Sequence, residues 1–171
     1  LAIFSLPDEV LAIGLGGNVG GEAAVRARFV AARDAFSEIG SVRSASLYRS
    51  APIGPPQPAF LNTVLRVVAA DAQPEEVLAL IRELEALLGR DRANEQRWGP
   101  RTIDLDVLVW GTRTLRTPQL EVPHPRLGER RFVIAPMIEL FGEALVIDGR
   151  SLGELARNVA DQAAELITTT W

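Results

Sequence analysis

Apolar residues recur along this chain at two spacings, and the switches between them mark out its elements. Residues 11–16 form a short apolar run that reads as a buried strand. The run ends in Gly16, Gly17, Asn18, Val19, Gly20 and Gly21, a turn rich in residues that tolerate positive φ. Val25, Phe29, Ala32 and Phe36 then fall at i, i+4, i+7 and i+11, which predicts a helix over residues 22–38 with Gly40 as its stop. Residues 42–49 read as a strand. Residues 50–58 read as a stiff loop holding Pro52, Pro55, Pro56 and Pro58, and residues 60–69 as another strand. Pro74 suits the first turn of a second helix, whose apolar stripe is Val77, Leu80, Ile81, Leu84, Leu87 and Leu88, with Gly89 as cap. Residues 90–101 are a polar loop. After them Ile103, Leu105, Val107 and Val109 alternate with Asp104 and Asp106, the period of a strand.

Residues 11–110 thus run β-α-β-β-α-β. The simplest packing of that order is an α+β, ferredoxin-like sandwich, with both helices on one face of a four-stranded antiparallel sheet. Residues 111–171 are expected to cover part of the other face, with helices over 130–140 and 151–160 and a short strand over 144–147. No repeat or internal boundary interrupts the pattern, so residues 1–171 read as a single domain, with 1–10 as an N-terminal extension without an assigned role.

Composition narrows the function. A chain of 171 residues, 47% hydrophobic and 23% charged, has the make-up of an ordinary globule with its own core. A net charge of −4 argues against a general nucleic-acid or anionic-membrane binder. All 18 basic residues are arginine, whose planar fork suits phosphate oxygens. The absence of cysteine excludes disulfides, thiolate metal sites and a cysteine nucleophile. There is no apolar run long enough to span a bilayer and no basic n-region at the start, so a cytoplasmic location is expected; separately, the chain is expected to act as a monomer.

Asp104 and Asp106 concentrate the chemistry. Residues i and i+2 of a strand leave the same face, roughly 6–7 Å apart along the chain, so the two carboxylates repel unless a cation lies beside them. Hard oxygens of this kind suit Mg²⁺ completed by water and substrate phosphates, while a single histidine and no cysteine speak against zinc. Arg90, Arg92, Arg97 and Arg101 oppose only Asp91 and Glu95 within their loop, and Arg126, Arg130 and Arg131 follow the lone His124. The local positive charge of the first group favours an oligophosphate ligand, and His124, between Pro123 and Pro125, is either part of a site or a structural residue. The Gly16–Gly21 turn lacks the spacing of a dinucleotide loop or a P-loop and reads as a strand-to-helix turn, with Asn18 free to bond a neighbouring loop. By themselves Phe60, Asn62 and Phe132 would be core or turn residues.

Five stretches together resemble the 6-hydroxymethyl-7,8-dihydropterin pyrophosphokinase family. They are Gly14-Leu-Gly-Gly-Asn-Val-Gly20, Leu47-Tyr-Arg-Ser-Ala-Pro-Ile-Gly54, Gln57-Pro-Ala-Phe-Leu-Asn62, Arg97-Trp-Gly-Pro-Arg-Thr-Ile-Asp-Leu-Asp106, and Val122-Pro-His-Pro125 with Arg130-Arg-Phe-Val133. The resemblance implies the same α+β fold and transfer of the β,γ-diphosphate of ATP to the pterin hydroxymethyl oxygen, releasing AMP. It implies two Mg²⁺ ions on Asp104 and Asp106, with Arg92 and Arg101 as further catalytic groups. It places the pterin between Phe60 and Phe132, with Asn62 on its edge and Ser50, Ala51, Pro52, Ile53 and Gly54 lining the slot. Glu85, Arg92, Arg97, Trp98, Arg101, His124 and Arg130 match positions that hold ATP or order the loops over it, and Val107 an adenine-contacting position. Gln119 and Glu121 depart from the Arg and Thr that some members carry near the nucleotide, and residues 90–96 differ in length from some members. Another Mg²⁺-dependent Asp-x-Asp transferase, or a pterin- or nucleotide-binding module without activity, are the alternatives that these residues leave open.

Overall fold

The computed structural model describes residues 5–171; residues 1–4 of the expected extension lie outside the described residues. In chain order the first elements are β1 (Val10–Gly17), α1 (Gly21–Ser37), β2 (Ser41–Ser44), β3 (Leu47–Ser50), β4 (Phe60–Val68), α2 (Pro74–Leu87) and β5 (Asp104–Trp110). Then follow β6 (Leu115–Arg116), β7 (Glu121–Val122), α3 (Arg131–Phe141), β8 (Val146–Ile147), β9 (Arg150–Ser151), α4 (Leu152–Asn158) and β10 (Glu165–Thr168). The fold is α+β: the main sheet runs β10-β3-β4-β1-β5, all antiparallel, with β2 also on β4. Among the described residues no helix is long and apolar enough to cross a membrane.

Helices α1 and α2 pack on one sheet face as their stripes predict. Val25, Phe29, Ala32 and Phe36 of α1 and Val77, Ile81 and Leu84 of α2 are buried against Leu11, Ile13, Leu15, Leu65, Leu105 and Val107. Gly20 enters α1 at φ 89, a conformation that a side chain resists, which accounts for glycine in this turn. Pro74 starts α2, and Gln73 and Glu76 close a capping box around its first turn. On the opposite face Ile134 and Met137 of α3 and Leu152 and Leu155 of α4 meet Ala12, Val64, Leu108 and Val109.

Three features differ from the sequence reading. The strand expected over 42–49 breaks at Ala45 and Ser46 into β2 and β3, both paired with β4. The hydroxyl of Thr63 donates to the carbonyls of Ala45 (3.1 Å) and Ser46 (3.0 Å), and the Ser46 N–H donates to Glu139 of α3 at 2.9 Å, so the break leaves these groups paired. In β5 the alternation slips. Ile13 faces Val107 but Ala12 faces Val109, so Leu108 is the extra residue of a bulge. Leu108 and Val109 therefore both turn towards α3 and α4, and Val109 leaves the aliphatic row expected of it. Finally, β10 extends the sheet beyond the four strands foreseen, pairing with β3. Part of the extension without an assigned role is structural: Leu6 is buried in the second core, and the Asp8 carboxylate accepts from the Thr112 hydroxyl at 2.7 Å.

Candidate functional site

The face of the sheet beneath α3 is only partly covered, and at its open end it is floored by glycine. Gly14 lies between Val64 and Asp106, and Gly16 between Asn62 and Asp104, across the adjacent strands β4, β1 and β5. A Cβ on Gly16 would stand 3.5 Å from the Asn62 Oδ1 and 4.0 Å from the Asp104 Cβ, so the two bare positions leave a trough between β4 and β5. The start of α3, the proline-rich loop 51–59 and the arginine loop 88–103 wall this trough into a cavity of about 360 Å³. Of the predicted residues, Ser50, Ala51, Ile53, Phe60, Asn62, Arg92, Trp98, Arg101, Asp104, Asp106, His124, Arg130 and Phe132 line it.

Asp104 and Asp106 leave β5 on this face, as their spacing predicts. Burial, together with the charges of Asp104 and Glu85, pushes the Asp106 carboxyl up to about 7. Asp104 is partly exposed and is bonded by Arg90, a residue that the sequence showed only as one member of a charge cluster. The Arg90 guanidinium is 5% exposed; it also meets Glu85 at 2.5 Å and forks onto Glu95 at 2.8 and 3.0 Å. Burial works against its charge, but Glu95, Asp104 and Glu85 outweigh this and raise its pKa. Among the described residues no group of three or more His, Asp or Glu side chains could hold a metal. Two carboxylates on an open floor fit a hard cation that keeps water and takes its remaining oxygens from a substrate.

Several expected ligand residues do not line the cavity. Glu85 is 1% exposed, and both its oxygens are engaged: Oε1 by the Leu105 N–H (2.9 Å) and Arg90, Oε2 by Arg92 at 2.5 and 3.0 Å. It ties the arginine loop to β5. The Val107 side chain belongs to the core beneath α1 and α2, since the odd residues of β5 face away from the Asp pair there. Arg97 lies outside, 5.5 Å over the Trp98 ring. Pro52 and Gly54 are also missing from the lining; Gly54, at φ 110, instead allows a close approach to Trp98, whose Cβ would stand 2.7 Å from an added methyl.

At the slot end, the Asn62 amide donates to the Ser50 hydroxyl at 2.9 Å, both residues being buried. Among the described residues the close aromatic pair is Phe29 with Trp171, so Phe60 and Phe132 do not fill the slot by packing on each other. The two loops over the cavity are joined. The Asn18 amide donates to Gln57 (3.1 Å) and the Pro58 carbonyl (2.9 Å) and accepts from the Arg101 N–H (2.8 Å), while Gln57 donates to the Trp98 carbonyl (2.6 Å). At the opposite end, Nδ1 of His124 accepts from the Arg126 N–H at 3.2 Å, which leaves its proton on Nε2. Burial and then the charges of Arg130 and Arg126 lower the His124 pKa and keep the ring neutral. Arg126, Gly14 and Gly16 line the cavity without having been singled out as site residues; two glycines at i and i+2 of a strand beside an Asp-x-Asp strand were the available signal for the floor.

Comparison with known proteins gives the chain its relatives. The family model described as 7,8-dihydro-6-hydroxymethylpterin-pyrophosphokinase matches residues 12–142. The chain is 37% identical over 134 residues to the 2-amino-4-hydroxy-6-hydroxymethyldihydropteridine pyrophosphokinase of Bacillus subtilis, covering 78% of each chain. It is 38% identical over 147 residues to the protein of that name from Pseudomonas aeruginosa, covering 84% of this chain and 87% of that one. Among solved structures, wild-type Plasmodium falciparum HPPK-DHPS with pteroate superposes with a TM-score of 0.67 at 12% identity, over 89% of this chain and 42% of that longer one, a likeness of fold.

Proposed function

The chain belongs to the 7,8-dihydro-6-hydroxymethylpterin-pyrophosphokinase family, and from that premise we propose how its cavity performs the reaction. The enzyme transfers diphosphate from ATP to 6-hydroxymethyl-7,8-dihydropterin, giving the pterin diphosphate and AMP in folate biosynthesis. The observation that carries the proposal is the shared face of Asp104 and Asp106, which open onto one trough between an aromatic slot and a cluster of cations. In this reading the pterin lies between Phe60 and Phe132, and Asn62, oriented by Ser50, offers its free acceptor and second N–H to the amide-like edge of the ring. Asp104 and Asp106 would hold two Mg²⁺ ions, which would supply charge neutralisation for the phosphates and lower the pKa of the hydroxymethyl group.

The remaining work falls to the protein. In-line phosphoryl transfer depends on alignment and charge neutralisation more than on covalent help. Arg130, Arg92 and Arg101 supply donors along the phosphates, and neutral His124 donates from Nε2. Arg92 and Arg101 are bonded to Glu85 and Glu95 in the ligand-free protein, so they exchange these partners for phosphate oxygens. The Trp98 loop excludes water above the reacting groups. The Val107 side chain faces the core, so it touches no adenine; contact with the base there falls to the β5 backbone.

Product analysis tests this reading. Protein stripped of divalent ions by a chelator is expected to give neither AMP nor pterin diphosphate, and added Mg²⁺ to restore both. Full turnover without divalent ions would contradict the role given to the Asp pair. A nucleotidylated product, or binding without turnover, would favour one of the alternative readings.

A further inference from the structure

We infer that Arg126 is a phosphate-contacting residue of this site, and that with Arg130 it forms the anion site that stands ready before the arginine loop rearranges. The inference rests on the reading that the ATP phosphates lie over Asp104 and Asp106. It comes from sorting the arginines around the cavity by what they already hold. Arg90 is bonded to Glu85, Glu95 and Asp104, Arg92 to Glu85, and Arg101 to Glu95. Arg131 is turned away, onto the carbonyls of Ala160 (2.5 Å) and Gln162 (3.3 Å). Only Arg126 and Arg130 line the cavity without an acceptor for their guanidinium groups among the described residues.

The geometry of Arg126 suits this task. Its guanidinium carbon lies 5.3 Å from the centre of the Trp98 ring. The contact with Trp98 involves no N–H···O bond, and among the described residues no acceptor holds the Arg126 guanidinium, so its five N–H donors remain available. Arg126 stands near enough to Arg130 to depress the pKa of that residue, second only to burial. Two unpaired cations side by side, next to a neutral histidine whose proton is on Nε2, lower their energy when an anion bridges them. An anion held there would share the cavity with Trp98, Arg92 and Arg101. An arginine stacked on a rim tryptophan for packing alone would have none of these consequences for a phosphate.

Calorimetry on the full chain with Mg²⁺ decides the matter, comparing a non-hydrolysable ATP analogue with AMP in the parent, Arg126→Gln, Arg126→Lys and Asp106→Asn. Arg126→Gln is expected to weaken the analogue at least about tenfold, the scale of one charged hydrogen bond, while AMP changes by less than about twofold and Arg126→Lys retains most of the affinity. Unchanged affinity of Arg126→Gln for the analogue overturns the inference. So does an equal loss for analogue and AMP, which would mark a contact with adenosine or a packing role. If Asp106→Asn binds the analogue as the parent does while Arg126→Gln does not, the Asp-pair reading fails and the anion site stands. If the parent does not bind the analogue, both fall.

Discussion

Asp106 carries a charge that the ligand-free fold disfavours. Burial and the neighbouring charges of Asp104 and Glu85 push its carboxyl up to about 7. A carboxyl whose folded pKa exceeds its unfolded value of ~3.9 holds its proton more tightly when folded. The stability linked to it is therefore fully present below pH ~3.9 and is lost as the pH rises through about 7. Asp106→Asn removes that loss. Its melting temperature should match the parent at about pH 4, rise above it progressively as the pH approaches about 7 and keep a constant lead beyond that, while turnover falls at least ~10²-fold. A variant that turns over normally, or whose stability gap is independent of pH, would contradict this account. Phe132, half-buried at the start of α3, gives a second test. Phe132→Ala should weaken pterin binding by ~1–3 kcal/mol, on the scale of base–aromatic stacking, with little change for an ATP analogue; a collapse of the melting temperature would mark a core residue instead. At this scale the spacing of Asp104 and Asp106 was legible in the residues themselves, whereas Phe60, Asn62 and Phe132 read as core or turn residues and were singled out only by the resemblance; all five line one cavity. Glu85 lies off the cavity and ties the arginine loop to β5, one of the two roles the resemblance left open; it stands four residues beyond Ile81 on the apolar stripe of α2, where a carboxylate is expected only if it is paired.

At the scale of elements, periodicity found the helices and strands but not their irregularities. The bulge at Leu108 and the break at Ala45 and Ser46 depend on partners distant in sequence, Ile13 and Ala12 in one case and Thr63 and Glu139 in the other. No local pattern announces either. β10 escaped for a related reason: Glu165–Thr168 is a short edge strand, exposed at Glu165 and Leu166, and shows no alternation. The glycine floor of β1 offers the sharpest test at this scale. A methyl group at Gly16 meets its neighbours at ordinary contact distances, so Gly16→Ala should fold with a melting temperature equal to or slightly above the parent. The same methyl narrows the passage between Asn62 and Asp104, and turnover should fall towards ~10²-fold, the scale at which small misplacements of reacting groups are felt. An unfolded variant would make the glycine structural, and a fully active one would remove the floor from the site.

For the molecule as a whole, the βαββαβ order was enough to predict the sandwich, and the covering face followed once helices were placed within residues 111–171. What the order does not reveal is how the loops above the sheet are tied. Asn18 and Gln57 join the proline-rich loop to the arginine loop through hydrogen bonds of 2.6–3.1 Å, so a ligand that orders one loop helps to order the other. An ATP analogue with Mg²⁺ should therefore tighten pterin binding by ~1–3 kcal/mol in calorimetry, and equal affinities with and without it would show the loops to be independent. The central claim is that Asp104 and Asp106 hold the cations around which both substrates assemble. Its most direct test is an electron paramagnetic resonance titration of Mn²⁺ in place of Mg²⁺, with the ATP analogue and the pterin alcohol present. The account predicts two protein-held Mn²⁺ ions per chain in the parent and the loss of tight Mn²⁺ binding in Asp106→Asn; identical binding by the two proteins would contradict it.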